Sequence, residues 1–174
     1  QKFALGGIGA SACTKLINHR FFNTLRFKEG IIHEDEQFTI HLINSATKAL
    51  YISNSLYMYV QRQGSIITSK FSKKRLDIIP VMEEQAQMLI SNGFEDLADL
   101  VRSKLFTSLC VMYVEARRCG ESRCSEIIIN HAKALVGKIK PESGSIGIIA
   151  KGMKLHLPML PLYYFLKKNK NGKA

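Results

Sequence analysis

His33, Glu34, Asp35 and Glu36 stand side by side in FKEGIIHEDEQF, residues 27 to 38. Such a run admits two readings. Acids at a helix start are favoured because the exposed amides and the macrodipole attract negative charge, so the cluster can be an N-terminal cap and nothing more. Alternatively, a carboxylate held where a strand gives way to a helix is placed to take a proton from a hydroxyl nucleophile. The local pattern does not choose between them.

The elements that would have to position these acids follow from periodicity. Ser11 can open a short helix over residues 11 to 22, with Cys13, Leu16, Ile17 and Phe21 on one face. Phe38, Leu42, Ile43 and Ala46 then recur at helical spacing, which predicts a helix of about three turns opened by Glu34 or Asp35. Two β-type segments come next, KALYIS (48 to 53) and SLYMYVQR (55 to 62). In the second, Leu56, Met58 and Val60 alternate with Tyr57 and Tyr59, and the two predict a strand pair. RQGSIITSKFS, residues 62 to 72, has the composition of a surface loop.

Beyond about residue 70 the pattern is helical throughout. Leu76, Ile79, Met82, Ala86 and Leu89 predict a helix ending at Asn92-Gly93, with Pro80 in its first turn or kinking it. Leu97, Val101, Leu105, Ser108 and Met112 predict a second, of about six turns, closed by Gly120. Ser122 can cap a third, which carries Cys124, Ile128, His131, Leu135 and Ile139. Short links between three consecutive helices imply an antiparallel bundle.

With 174 residues, 46% of them hydrophobic and 22% charged, the chain can bury a core. Its net charge of +11 suggests an anionic partner, and residues 137 to 174 carry +7 of it. That end also holds LHLPMLPLYYFLKKNKNGK, an apolar and aromatic stretch running into a basic tail. It can rest on an anionic bilayer or pack on the core as a last helix. No stretch is long and apolar enough for a membrane span. Four cysteines without CxxC spacing predict reduced thiols and a cytoplasmic setting. Cys124 and His131 could share a helix face near Cys119, but a fourth zinc ligand is missing and no metal site is assigned.

TKLINHRFF, LRFKEGIIHEDEQF, KALYISNSLYMYVQRQGSI and KFSKKRLD, in that order over residues 11 to about 77, resemble the C-terminal part of the catalytic domain of bacterial family 2 glycosyltransferases. The pieces match a KLY-type helix, an RFxEG turn, an ED motif, a strand pair ending in RxxSI and an FSxKRLD helix start. The resemblance implies an α+β, mainly α chain: part of a GT-A (nucleotide-diphospho-sugar transferase) domain with a short strand pair, followed by the helical bundle. It divides the chain into 1–72, the C-terminal part of the catalytic domain; 73–140, the bundle; and 141–174, a basic helical segment and tail.

The resemblance also implies roles. Asp35 would be the general base of an inverting transfer, deprotonating an acceptor hydroxyl as it attacks the anomeric carbon of a nucleotide sugar. Glu34 would support it. His33 and Glu36 would face the acceptor, and Gln61, Arg62 and Ser65 the donor diphosphate. Lys15 matches a position of the first motif, which by itself assigns it no role. Ala12, Cys13, Thr14 and Ile17 depart from the family pattern, which implies a different acceptor side there. The DxD motif, through which such enzymes hold Mn or Mg, is absent here, and the expectation is a fragment inactive in isolation that binds no cofactor by itself.

Expected partners are therefore a nucleotide-sugar donor such as a uridine diphosphate sugar, a saccharide or lipid-linked acceptor, a second copy of the chain, and the inner membrane face through the basic end. The parent would act in surface polysaccharide or glycolipid synthesis. Against this stands a basic helical module gripping anionic lipid or nucleic acid, or an oligomerisation domain built from the later helices. The chain lacks an aromatic stacking platform or helix-turn-helix signature, which argues against nucleic acid.

Overall fold

A computed structural model describes residues 9–60 and 70–139 of the protein. The chain divides into two compact units, Gln1–Ser69 and Lys70–Ala174.

In the first unit the expected helix over 11 to 22 is replaced by two short 3-10 turns, Ala12–Thr14 and His19–Asn23. The apolar face proposed for it is not buried: Leu16 and Cys13 are exposed. Lys15, between the turns, has extended backbone, and the Asn18 side chain accepts from the Arg20 amide to open the second turn. Helix α1, Glu34–Ser45, begins where the acids predicted it would.

The expected α+β class, a GT-A fragment with a strand pair, is overturned. Among the described residues every regular element is helical, and residues 48–60 form no strand. Alternation supplies a pattern but not a partner. A ribbon of two strands is marginal unless it buries one face, and here Leu56 is 80% and Met58 85% exposed.

The second unit is an antiparallel helical arrangement. A 3-10 turn, Lys73–Asp77, leads into α2, Ile78–Ser91; α3 is Glu95–Arg118 and α4 is Ser122–Val136. Pro80 sits in the first turn of α2, where its missing amide costs no helical hydrogen bond. The two links are closed alike. Gly93 and Gly120 adopt φ of 78° and 76°. In each link the glycine amide and the next amide reach back to the helix, Gly93 to Ile90 O and Phe94 to Leu89 O, Gly120 to Arg117 O and Glu121 to Ala116 O. This is the Schellman arrangement, and its left-handed residue favours glycine.

Helix α3 packs against both α2 and α4 and forms the spine of the core. Ala98, Val101, Leu105, Leu109 and Cys110 are fully buried along it, and Met82 on α2 and Ile128 on α4 are buried too. Ser122 does not cap α4; it is the first helical residue, and Ser125 Oγ instead donates to the Glu121 carbonyl. The Arg75 guanidinium pairs with Glu115, tying the 3-10 turn to α3. Buried Asp99 pairs with Arg102 one turn on, at 2.9 Å.

Candidate functional site at the start of helix α1

The acids sit where the chain turns twice. Gly30 has φ of 80°, and His33, the residue before α1, has φ of 77° and ψ of 25°. Left-handed backbone is uncommon outside glycine, and histidine is among the residues that tolerate it. The His33 side chain makes no capping hydrogen bond, so the acids themselves meet the helix start. Asp35 Oδ1 accepts from the Glu36 amide at 2.8 Å. The helix N-terminus supplies further positive potential there.

Glu34 is exposed, whereas His33, Asp35 and Glu36 are half-buried. Among the described residues no hydrogen bond reaches the other oxygen of Asp35.

Two contacts fix α1 below the acids. Phe38, 1% exposed, stacks with Phe27 at 4.1 Å between ring centroids and with Phe22 at 5.7 Å. Offset stacking of this kind adds about 0.5–1.5 kcal/mol per pair to the apolar burial. One residue on, buried Thr39 donates through Oγ1 to the Ala10 carbonyl at 2.9 Å. The segment before the first 3-10 turn is thereby held against the helix.

Lys15 closes the same segment. Its ammonium donates to the carbonyls of Gly9, at 2.6 Å, and Ser11, at 2.9 Å. Burial pushes the Lys15 amine below the ordinary lysine range, and the nearby charges of Asp35 and Glu36 oppose that shift. The ammonium therefore lies within electrostatic reach of both acids. Residue patterns did not reveal this, nor the Thr39 contact, because the partners are separated by 20 to 29 positions and no local period links them.

The structure thus brings together His33, Glu34, Asp35 and Glu36, and adds Lys15. Gln61, Arg62 and Ser65 lie outside the described residues, as do the tail after residue 139 and most of the loop over 62 to 72. Among the described residues no group of three or more His, Cys, Asp or Glu could hold a metal ion. Cys124 is buried, Cys119 is exposed, and His131 Nδ1 lies 3.9 Å from Glu83. No described helix is long and apolar enough to cross a membrane.

No protein family profile matches the chain, and no solved structure does. Two curated proteins of Streptococcus pneumoniae serotype 4 are similar to it over about half its length. Glycosyltransferase GlyG is 29% identical over 82 residues, 47% of this chain and 27% of GlyG. Glycosyltransferase GlyA is 31% identical over 84 residues, 48% of this chain and 12% of GlyA. The matched region is thus about a quarter and an eighth of those proteins, and over that region the chain is related to glycosyltransferases.

Proposed function

We propose that the chain belongs to an inverting, family 2 glycosyltransferase and carries its general base, Asp35. The observation that supports this most directly is the Asp35 carboxylate itself, half-buried, held by the Glu36 amide at the start of a helix that Phe38 and Thr39 pin in place. The similarity to glycosyltransferases supports an acceptor hydroxyl as the group such a base would act on.

In the proposed reaction the acceptor hydroxyl attacks the anomeric carbon of a nucleotide sugar. The bond from that carbon to the diphosphate breaks, and the hydroxyl proton passes to Asp35. In-line attack requires the base on the face opposite the leaving diphosphate. His33 and Glu36, half-buried beside Asp35, would contact the acceptor, and exposed Glu34 would add negative potential. Gln61, Arg62 and Ser65 are the proposed donor side, a guanidinium and a hydroxyl being suited to diphosphate oxygens.

A uridine diphosphate sugar as donor, a saccharide or lipid-linked acceptor, and a role in surface polysaccharide or glycolipid synthesis complete the reading. Its basic end would hold the enzyme at an anionic membrane face. The test is Asp35→Asn in the full-length protein. We expect sugar transfer to fall by at least about 100-fold, the usual lower range for loss of general-base catalysis. Titration calorimetry should show uridine diphosphate sugar binding unchanged. Transfer at the parental rate by the variant would remove Asp35 as the base.

A further inference from the structure

Two basic runs of the second unit, KFSKKR (70 to 75) and RRCGESR (117 to 123), are far apart in sequence, and the fold brings them to one end of the bundle. Helices α2 and α3 run antiparallel through a short link, so the start of α2 lies beside the end of α3, where α4 also starts. The ion pair of Arg75, in the 3-10 turn, with Glu115, in the last turn of α3, joins the two runs directly. Phe71, buried, anchors the segment before that turn.

What these contacts leave outward is cationic. Lys70, Lys73, Lys74, Arg117, Arg118 and Arg123 are all exposed. Of the nearby acids, Glu115 is taken up by Arg75, Asp77 is half-buried, and Glu121 is exposed. At the other end of the bundle, α3 opens instead on exposed Glu95 and Asp96. The basic end is also separate from the lysine-rich tail, because α4 runs about 20 Å away from it before residue 137 is reached.

The chemistry of the surface selects its partner. The cations sit at an end of the bundle rather than along a groove, and no aromatic side chain is exposed among them. Single-stranded nucleic acid needs aromatic faces to stack on, and duplex readout needs an element that enters a groove. An anionic bilayer needs only a cluster of about four to eight Lys or Arg presented together.

We infer that the basic end formed by these six residues is a docking surface for an anionic phospholipid bilayer. The inference rests on the membrane placement in the reading above, to which it adds a second contact, and not on the chemistry of Asp35.

The test is co-sedimentation of the full-length protein with vesicles of phosphatidylcholine alone and of equal parts phosphatidylcholine and phosphatidylglycerol. The parent should bind only the anionic vesicles, and more weakly as salt rises. One near-surface Lys or Arg is worth about fivefold in such an affinity. Lys73→Gln with Lys74→Gln, and separately Arg117→Gln with Arg123→Gln, should each weaken binding by about 25-fold. Either pair decides alone if circular dichroism shows that the other fails to fold. Lys73→Arg with Lys74→Arg should bind as the parent does. Lys133→Gln with Lys138→Gln removes the same charge at about 15 Å or more along α4 from Arg123. That exceeds a Debye length of about 8 Å, so binding should change by no more than about twofold. Equal losses from the basic-end and far-end pairs would reduce the effect to net charge and overturn the docking surface. Loss confined to Lys167→Gln with Lys168→Gln would assign the membrane contact to the tail, overturning this inference and keeping the membrane placement. A parent that ignores anionic vesicles overturns both, and if it binds duplex DNA through the same residues the surface is one for nucleic acid.

Discussion

His33 shows how one residue can be held by its neighbours in a conformation it does not prefer. Its φ of 77° precedes the acids directly, and left-handed backbone costs a residue with a Cβ about 1–2 kcal/mol. Asparagine tolerates this region, whereas a β-branched residue does not. His33→Val should therefore lower the stability of the first unit by about 1–2 kcal/mol, and His33→Asn should leave it close to the parent. Urea unfolding followed by circular dichroism measures both. Equal stability of the two variants would mean that the backbone relaxes out of this conformation at little cost. His33 is also the residue at which pattern reading stopped short, since nothing in IIHEDE announces a positive φ at a histidine.

Helix α1 was legible in the sequence because its acids and its apolar positions agree on where it starts. The helices of the second unit were legible for a similar reason: their periods end at glycines that close each link. Other elements were not. Residues 11 to 22 have the spacing of a helix, yet the Lys15 ammonium bonds to backbone that lies outside one, and two 3-10 turns result. The α2–α3 pair carries a polar cost of its own. Gln85 is 1% exposed, and neither atom of its amide has a partner among the described residues; Ser103 Oγ is in the same position. Buried polar groups left unpaired cost about 1–3 kcal/mol. Gln85→Leu should thus raise the stability of the second unit, by about 1–2 kcal/mol, in thermal or urea unfolding. A loss of stability instead would show that the amide is satisfied by ordered water.

At the scale of the whole chain, Lys15 also ties stability to pH. Its folded-state pKa lies below the ordinary lysine value of 10.5, through burial, in spite of Asp35 and Glu36. Between the folded value and 10.5 the unfolded chain keeps a proton that the folded chain has released. Stability therefore rises with pH across that window. The contribution is fully present above 10.5 and is lost as pH falls through the folded value. Urea unfolding of the parent and of Lys15→Met over an alkaline pH series should show a steeper rise for the parent. Identical slopes would mean that the amine is solvated in the folded state.

The sequence by itself determined the helices of the second unit, their links, and the start of α1, because each depends on period, caps and glycines within a few residues of one another. It also brought His33, Glu34, Asp35 and Glu36 together as neighbours in the chain. Tertiary structure alone decided the rest. It left residues 48–60 without strand pairing, since alternation needs a partner segment before it becomes a sheet. It also placed the Ala10 carbonyl against α1 and Lys15 within electrostatic reach of Asp35 and Glu36, across 20 or more residues that no local period links.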